Sequence, residues 1–152
     1  MRFNLSHSKD YITYAFSPTF EVGIDLEYID PILEIDSIAS TILSSSELKF
    51  WNRTQKEEKI CSFFRLWVCK EAFLKRSGKG FLSNNYELPL SIIDFLQGKK
   101  IKNPERVNIS PYLFENILNY IGAVFVEGSQ NIEPIHLTWA HHKYISHRDE
   151  FI

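Results

Sequence analysis

The stretch Thr54 to Gly80, TQKEEKICSFFRLWVCKEAFLKRSGKG, most restricts the folds open to this chain. It reads as one long amphipathic helix. Thr54 with Glu57 three residues on is a capping-box start, and Gly78 after Lys75, Arg76 and Ser77 is a helix end. Ile60, Phe64, Trp67, Glu71 and Lys75 recur at steps of three and four and so share one stripe of the helix surface. That stripe begins apolar and ends charged. A helix that buries Phe64 and Trp67 carries Glu71 and Lys75 to the rim of the same contact, where a carboxylate needs a partner or a cation. The plainer alternative is a solvated Glu71/Lys75 pair at i, i+4, worth only about 0.3 kcal/mol.

A second acidic stretch, EVGIDLE from Glu21 to Glu27, bears on that choice. Val22, Ile24 and Leu26 alternate with Gly23, Asp25 and Glu27, so on a strand the apolar set faces a core and the two acids share the other face. Paired carboxylates repel each other. A hard divalent cation relieves the repulsion, and magnesium is the usual choice for a site of few carboxylates plus phosphate oxygens. Gly23, without a side chain, lets something approach the backbone beside them. The alternative is the solvent-facing polar side of an edge strand.

At 152 residues, 44% hydrophobic and 14% aromatic, the sequence is expected to form one domain with an ample core. A formal net charge of -2 gives no reason to expect a partner in nucleic acid or an anionic membrane. Cys61 and Cys69, eight positions apart on the proposed helix, lie about 12 Å apart along its axis, too far to bridge. They read as reduced, partly buried thiols of a cytoplasmic protein. MRFNLSHSKD lacks the apolar stretch of a signal peptide and no run reaches membrane-spanning length, so a soluble, unanchored protein is expected.

Met1 to Leu5 is expected to be extended and NLSHSKD to form a polar turn. Tyr11 to Phe16 and Val22 to Leu26, joined through Ser17, Pro18 and Thr19, read as a hairpin whose second strand delivers the acids. Ile32 to Leu43 is helical in pattern, and Ser44 with Glu47 caps a short helix ending near Asn52. Asn84 and Asn85 mark a loop, Pro89 to Leu96 fits helix or strand, and GKKIKNPER is a charged connection. Tyr112 to Ile117 and Tyr120 to Val126 make a second hairpin about Leu118 and Asn119, and Ile135 to Trp139 a last strand. The domain is expected to span residues 1–140, with a polar tail over 141–152. In that tail His141, His142 and His147 lack the fourth ligand and fixed backbone of a zinc site. Asn4, Ser6, His7 and Ser8 cluster polar groups that ordinary turn chemistry explains, while His7 also suits an anion or catalysis.

FNLSHS, then VGIDLE, then FFRLWVCKEAFLKRSGKG resembles, in order and spacing, the 4'-phosphopantetheinyl transferases of the surfactin type. The signature of that family is a (V/I)G(I/V)D strand followed some forty residues later by a W-x-x-KE-(A/S)-x-x-K helix. Val22 to Asp25 match the first part; Trp67, Lys70, Glu71, Ala72 and Lys75 match the second. The joint match is specific and covers Phe3 to about Leu82 closely.

The resemblance implies an α+β fold, a small mainly antiparallel sheet packed against a long helix and shorter helices. It implies transfer of phosphopantetheine from coenzyme A to a serine of an acyl or peptidyl carrier protein, with release of adenosine 3',5'-bisphosphate. By the same resemblance Asp25, Glu27 and Glu71 hold magnesium, and Glu71 is the base for the serine proton. Lys75 contacts coenzyme A phosphates, His7 lies near the 3'-phosphate, Lys70 serves phosphate binding or an ion pair, and Trp67 packs. Surfactin-type members have two similar halves with the cofactor between them, and Met1 stands almost where their second half begins. The expectation is then a chain that self-associates, is completed by another polypeptide, or is a weak or inactive homologue that only binds coenzyme A or a carrier protein. A magnesium-dependent nuclease built on the same acids is disfavoured by the acidic balance.

Overall fold

The computed structural model describes residues 1–78, 87–98, 109–128, 139–140 and 143–144. In chain order the elements are β1 (Arg2–Ser8), β2 (Tyr11–Ser17), β3 (Val22–Tyr28), α1 (Ile35–Ile42), α2 (Ser45–Trp51), a 3-10 turn (Lys56–Glu58), α3 (Lys59–Arg76), α4 (Leu90–Leu96), β4 (Ile109–Phe114), β5 (Tyr120–Glu127), β6 (Trp139–Ala140) and β7 (Lys143–Tyr144). The α+β architecture expected from the sequence is present. An antiparallel sheet in the order β3-β5-β4 packs against α3, with α1, α2 and α4 completing the core.

The long helix starts later than its sequence implies. Lys59 opens it after the 3-10 turn, and its N-cap Glu58 makes no side-chain cap bond. Thr54 is not the cap; its hydroxyl instead lies 3.2 Å from that of Ser62. The stop is as expected: Gly78 has φ +67, the left-handed conformation that ends a helix, and its N–H bonds the Lys75 carbonyl. Phe63, Phe64, Leu66, Val68, Cys69, Ala72 and Phe73 of α3 are buried, a broader apolar surface than the single stripe.

The short helix α2 carries the expected capping box, with Ser44 and Glu47 bonding each other's backbone N–H. Glu47 does more than cap, since it is fully buried, accepts the Leu88 N–H and pairs with Lys70 at 2.7 Å. Pro89 to Leu96 resolves as helix α4, and β4 with β5 forms the expected hairpin, its turn holding Asn119 at φ +65.

Strand pairing at the N-terminus differs from expectation. The extended start expected over Met1 to Leu5 runs on as strand through Ser8, so of NLSHSKD only Lys9 and Asp10 form the turn, and β2 pairs with β1 instead of β3. β1 lies along the free edge of β3 and bonds it through side chains. Asn4 accepts the Ile24 N–H at 3.2 Å and Ser8 accepts the Tyr28 N–H at 3.0 Å, so the two strands run in the same direction. A side-chain oxygen satisfies a strand-edge donor as a ladder partner would.

β3 is covered on both faces. Ile24 and Leu26 join Phe114 and Tyr120 in a small second core, while Gly23, Asp25 and Glu27 occupy the face toward α3. A Cβ on Gly23 would stand 2.1 Å from the Ala72 carbonyl oxygen, so the α3 backbone itself fills the space the glycine leaves. β6 and β7 pair antiparallel, which places Lys143 and Tyr144 in a strand within the stretch expected as tail. The loop at Asn84 and Asn85, the connection after Gly98, residues 135–138 of the last expected strand, and His141, His142 and His147 lie outside the described residues.

Candidate active site

Asp25 sits at the middle of β3 with only 3% of its surface exposed. Its Oδ1 accepts from the Ser6 hydroxyl at 2.9 Å and from the Lys75 ammonium at 2.6 Å, and Lys75 also reaches Ser6 at 3.1 Å. Its buried Oδ2 has no hydrogen-bond partner among the described residues. Two residues along the same face, the half-buried Glu27 accepts from the Ser8 hydroxyl at 3.0 Å. Glu71 comes from α3, one turn before Lys75, and is also half-buried. The helix delivers an acid and a base to the acid pair on the strand because Gly23 lets α3 approach so closely.

The three acids feel one another. Burial pushes the Asp25 carboxyl above its ordinary range, against the pull of Lys75 and Ser6. Burial and then repulsion from Asp25 raise Glu27 as well. Glu71 is raised by burial and then by Asp25, up to about 7.

Among the described residues no group of three or more His, Cys, Asp or Glu side chains already stands at metal-holding distance. The cation in contact with Asp25 is the Lys75 ammonium. The donors nevertheless suit a hard divalent ion. An orphaned, buried carboxylate oxygen on Asp25 and two further carboxyls raised by burial and mutual repulsion form an oxygen-only set with charge left to neutralise.

His7, of opposite pleat direction to Ser6 and Ser8, is exposed on the far side of β1, although its charge still bears on Glu27. Lys70 bonds elsewhere, although its charge bears on Glu71. It is buried, and its ammonium donates to the Glu47 carboxylate and to the Ile42 carbonyl at 2.9 Å. Of the two roles left open for Lys70 by sequence, the ion pair is the one formed, because one residue of helix turns the side chain by about 100° away from Glu71. Trp67 packs against Phe63 and, with Phe64, Ser8, Lys9 and Tyr28, lines a groove of about 200 Å³ that opens on Glu27. A larger hollow of about 420 Å³ beside Arg53 and Arg65 contains none of the acids and has no part in this site.

Ser6 and Ser8 are the residues whose role the sequence concealed. The signal for them is alternation: Asn4, Ser6 and Ser8 lie at a period of two, one face of a strand, and all three bond to β3.

A profile of the 4'-phosphopantetheinyl transferase superfamily matches residues 21–117, which include Asp25, Glu27, Glu71 and Lys75. The chain is 41% identical over 78 residues to the 4'-phosphopantetheinyl transferase HetI of Nostoc sp. (strain PCC 7120), a match covering 51% of this chain and 33% of that protein. It is 42% identical over 78 residues to psf-1 of Bacillus pumilus, covering 51% of this chain and 32% of the relative. To gsp of Aneurinibacillus migulanus it is 37% identical over 81 residues, covering 53% and 32%. Both of these relatives are named 4'-phosphopantetheinyl transferases. The matched part thus spans about a third of the length of these relatives. With most of its length inside the family profile, the chain belongs to the 4'-phosphopantetheinyl transferase superfamily.

Proposed function

We propose that this chain transfers the 4'-phosphopantetheine group of coenzyme A to a serine of an acyl or peptidyl carrier protein, with magnesium held by Asp25, Glu27 and Glu71. The observation that supports this most is that α3 brings Lys75 to Oδ1 of Asp25, whose Oδ2 has no partner among the described residues, and brings Glu71 close enough to feel the charges of Asp25 and Glu27. Magnesium, when bound, supplies positive charge to the pyrophosphate oxygens as the bridging bond breaks.

The residues of the chain do the rest. Glu71, directly or through a water, accepts the proton of the carrier serine as its oxygen attacks phosphorus. The new serine–phosphorus bond forms while the bond to adenosine 3',5'-bisphosphate breaks. Lys75, released from Asp25, offers its ammonium to a phosphate oxygen. Ser6 and Ser8 orient Asp25 and Glu27, and His7 meets the 3'-phosphate. Lys70 fixes α3 to α2 through Glu47. The groove between Glu27 and Trp67 is where we place an arm entering beside the acids. Cys61 and Cys69 are free thiols, in keeping with a cytoplasmic protein, and among the described residues no helix is long and apolar enough to cross a membrane.

A second reading is binding of coenzyme A or a carrier protein without turnover, favoured by the Lys75 ammonium standing on Asp25 Oδ1, where the proposed cation would bind. One experiment separates the two. Incubation with coenzyme A, magnesium and an apo carrier protein is expected to add one phosphopantetheine to the carrier, seen by mass spectrometry, and Glu71→Gln is expected to abolish the addition. An unmodified carrier that still binds the wild-type chain would replace transfer with the binding reading.

A further inference from the structure

The groove that opens on Glu27 has a lining of two kinds. Phe64, Trp67 and Leu33 make it apolar, while Lys9 and Asp30 set a cation and a carboxylate along it. Both charged side chains are held locally. Lys9 stands in the β1–β2 turn at φ +45, and its ammonium lies 3.5 Å from the centroid of the Tyr28 ring, over its face. One Asp30 oxygen accepts the Ile32 N–H at 3.1 Å. Among the described residues neither Lys9 nor Asp30 belongs to an ion pair. The ammonium therefore keeps hydrogens to donate and the carboxylate a second oxygen to accept. At about 200 Å³ the groove is smaller than the roughly 300 Å³ of the smallest ordinary ligand pockets, which suits a slender chain and not a nucleotide.

We propose that Lys9 and Asp30 are specificity-determining residues for the arm of coenzyme A, Lys9 donating to an amide carbonyl oxygen of the arm and Asp30 accepting from an amide N–H. The inference rests on the coenzyme A binding proposed above and on the arm's place in this groove. Neither residue is among those that match the family signature. The chemistry of the lining carries the choice. A secondary amide brings one donor and one acceptor, and a wholly apolar groove would leave both unpaired on burial. A groove with a free donor and a free acceptor beside apolar side chains matches a chain that alternates amides with methyl-bearing carbons. The same lining disfavours a purely aliphatic chain, which would leave Lys9 and Asp30 without partners as it displaced their water.

The test is calorimetric titration of the full chain, with magnesium present, by coenzyme A and separately by adenosine 3',5'-bisphosphate, which lacks the arm. The wild type is expected to bind both. Lys9→Met, and separately Asp30→Asn, are expected to bind coenzyme A about tenfold more weakly and the bisphosphate as the wild type does. Asp30→Asn keeps an oxygen for the Ile32 N–H and puts an NH₂ group where the second carboxylate oxygen stood. Lys9→Gln keeps a neutral donor and is expected to hold coenzyme A within about threefold of the wild type, whereas a contact to phosphate would be lost in it as fully as in Lys9→Met. Unchanged coenzyme A affinity in Lys9→Met or Asp30→Asn, an equal loss for the bisphosphate, or Lys9→Gln as weak as Lys9→Met would overturn the proposal and leave coenzyme A binding standing. A wild type that binds neither ligand would overturn both.

Discussion

At the scale of residues the site turns on Asp25, a buried carboxylate with one oxygen bonded twice and the other without a partner among the described residues. An ion pair so enclosed recovers little beyond the cost of burying its charges, which leaves Lys75 displaceable by a cation of higher charge. Lys75→Met removes the competitor for Oδ1. Its affinity for Mn2+ is expected to rise about tenfold, measured by calorimetric titration, while phosphopantetheine transfer falls. Glu71 sets a pH dependence. Its folded-state value of about 7 lies above the ordinary carboxylate range, so the folded chain holds a proton that the unfolded chain has released. Stability without metal should therefore fall as pH rises toward and through 7, and Asp25 and Glu27, both raised, act in the same sense. A bound cation removes this repulsion. The rise in melting temperature caused by magnesium should be larger at pH 8 than at pH 5 by scanning fluorimetry, and Glu71→Gln should flatten the metal-free profile.

At the scale of elements the close approach of α3 to β3 brings the site together. Gly23→Ala would drive a methyl group into the Ala72 carbonyl and the Arg76 N–H, at 2.1 and 2.4 Å, both backbone atoms that cannot step aside. A loss of at least about 3 kcal/mol in urea unfolding is expected. Lys70→Met leaves Glu47 buried without its counter-ion and should cost about 3–5 kcal/mol, yet leave Mn2+ affinity as in the wild type. Elements whose signals are local were legible in the sequence. The Ser44/Glu47 box and the Gly78 stop involve neighbours a few residues apart, and both are present. Strand pairing was less so, because proximity in sequence favoured β2 with β3 while the structure pairs β2 with β1. The shared face of Asp25 and Glu27 followed from the strand period, but not that α3 would cover it, nor that Glu47 would reach Lys70 and Leu88 across the fold.

At the scale of the whole molecule the β3-β5-β4 sheet and the helices meet along α3, and the acids collect where that contact ends at the edge held by β1. In the proposed site metal binding would be a property of the folded chain, since β3 and α3 would contribute ligands forty-four to forty-six residues apart in sequence. The central claim is that Asp25, Glu27 and Glu71 together hold one divalent cation. The most direct measurement is a calorimetric titration of Mn2+ into wild type and Glu71→Gln at about pH 7.5, where carboxylates in water are ionised. One site per chain is expected in the wild type, weakened at least about tenfold by the substitution. Equal affinity in the two proteins would contradict the account.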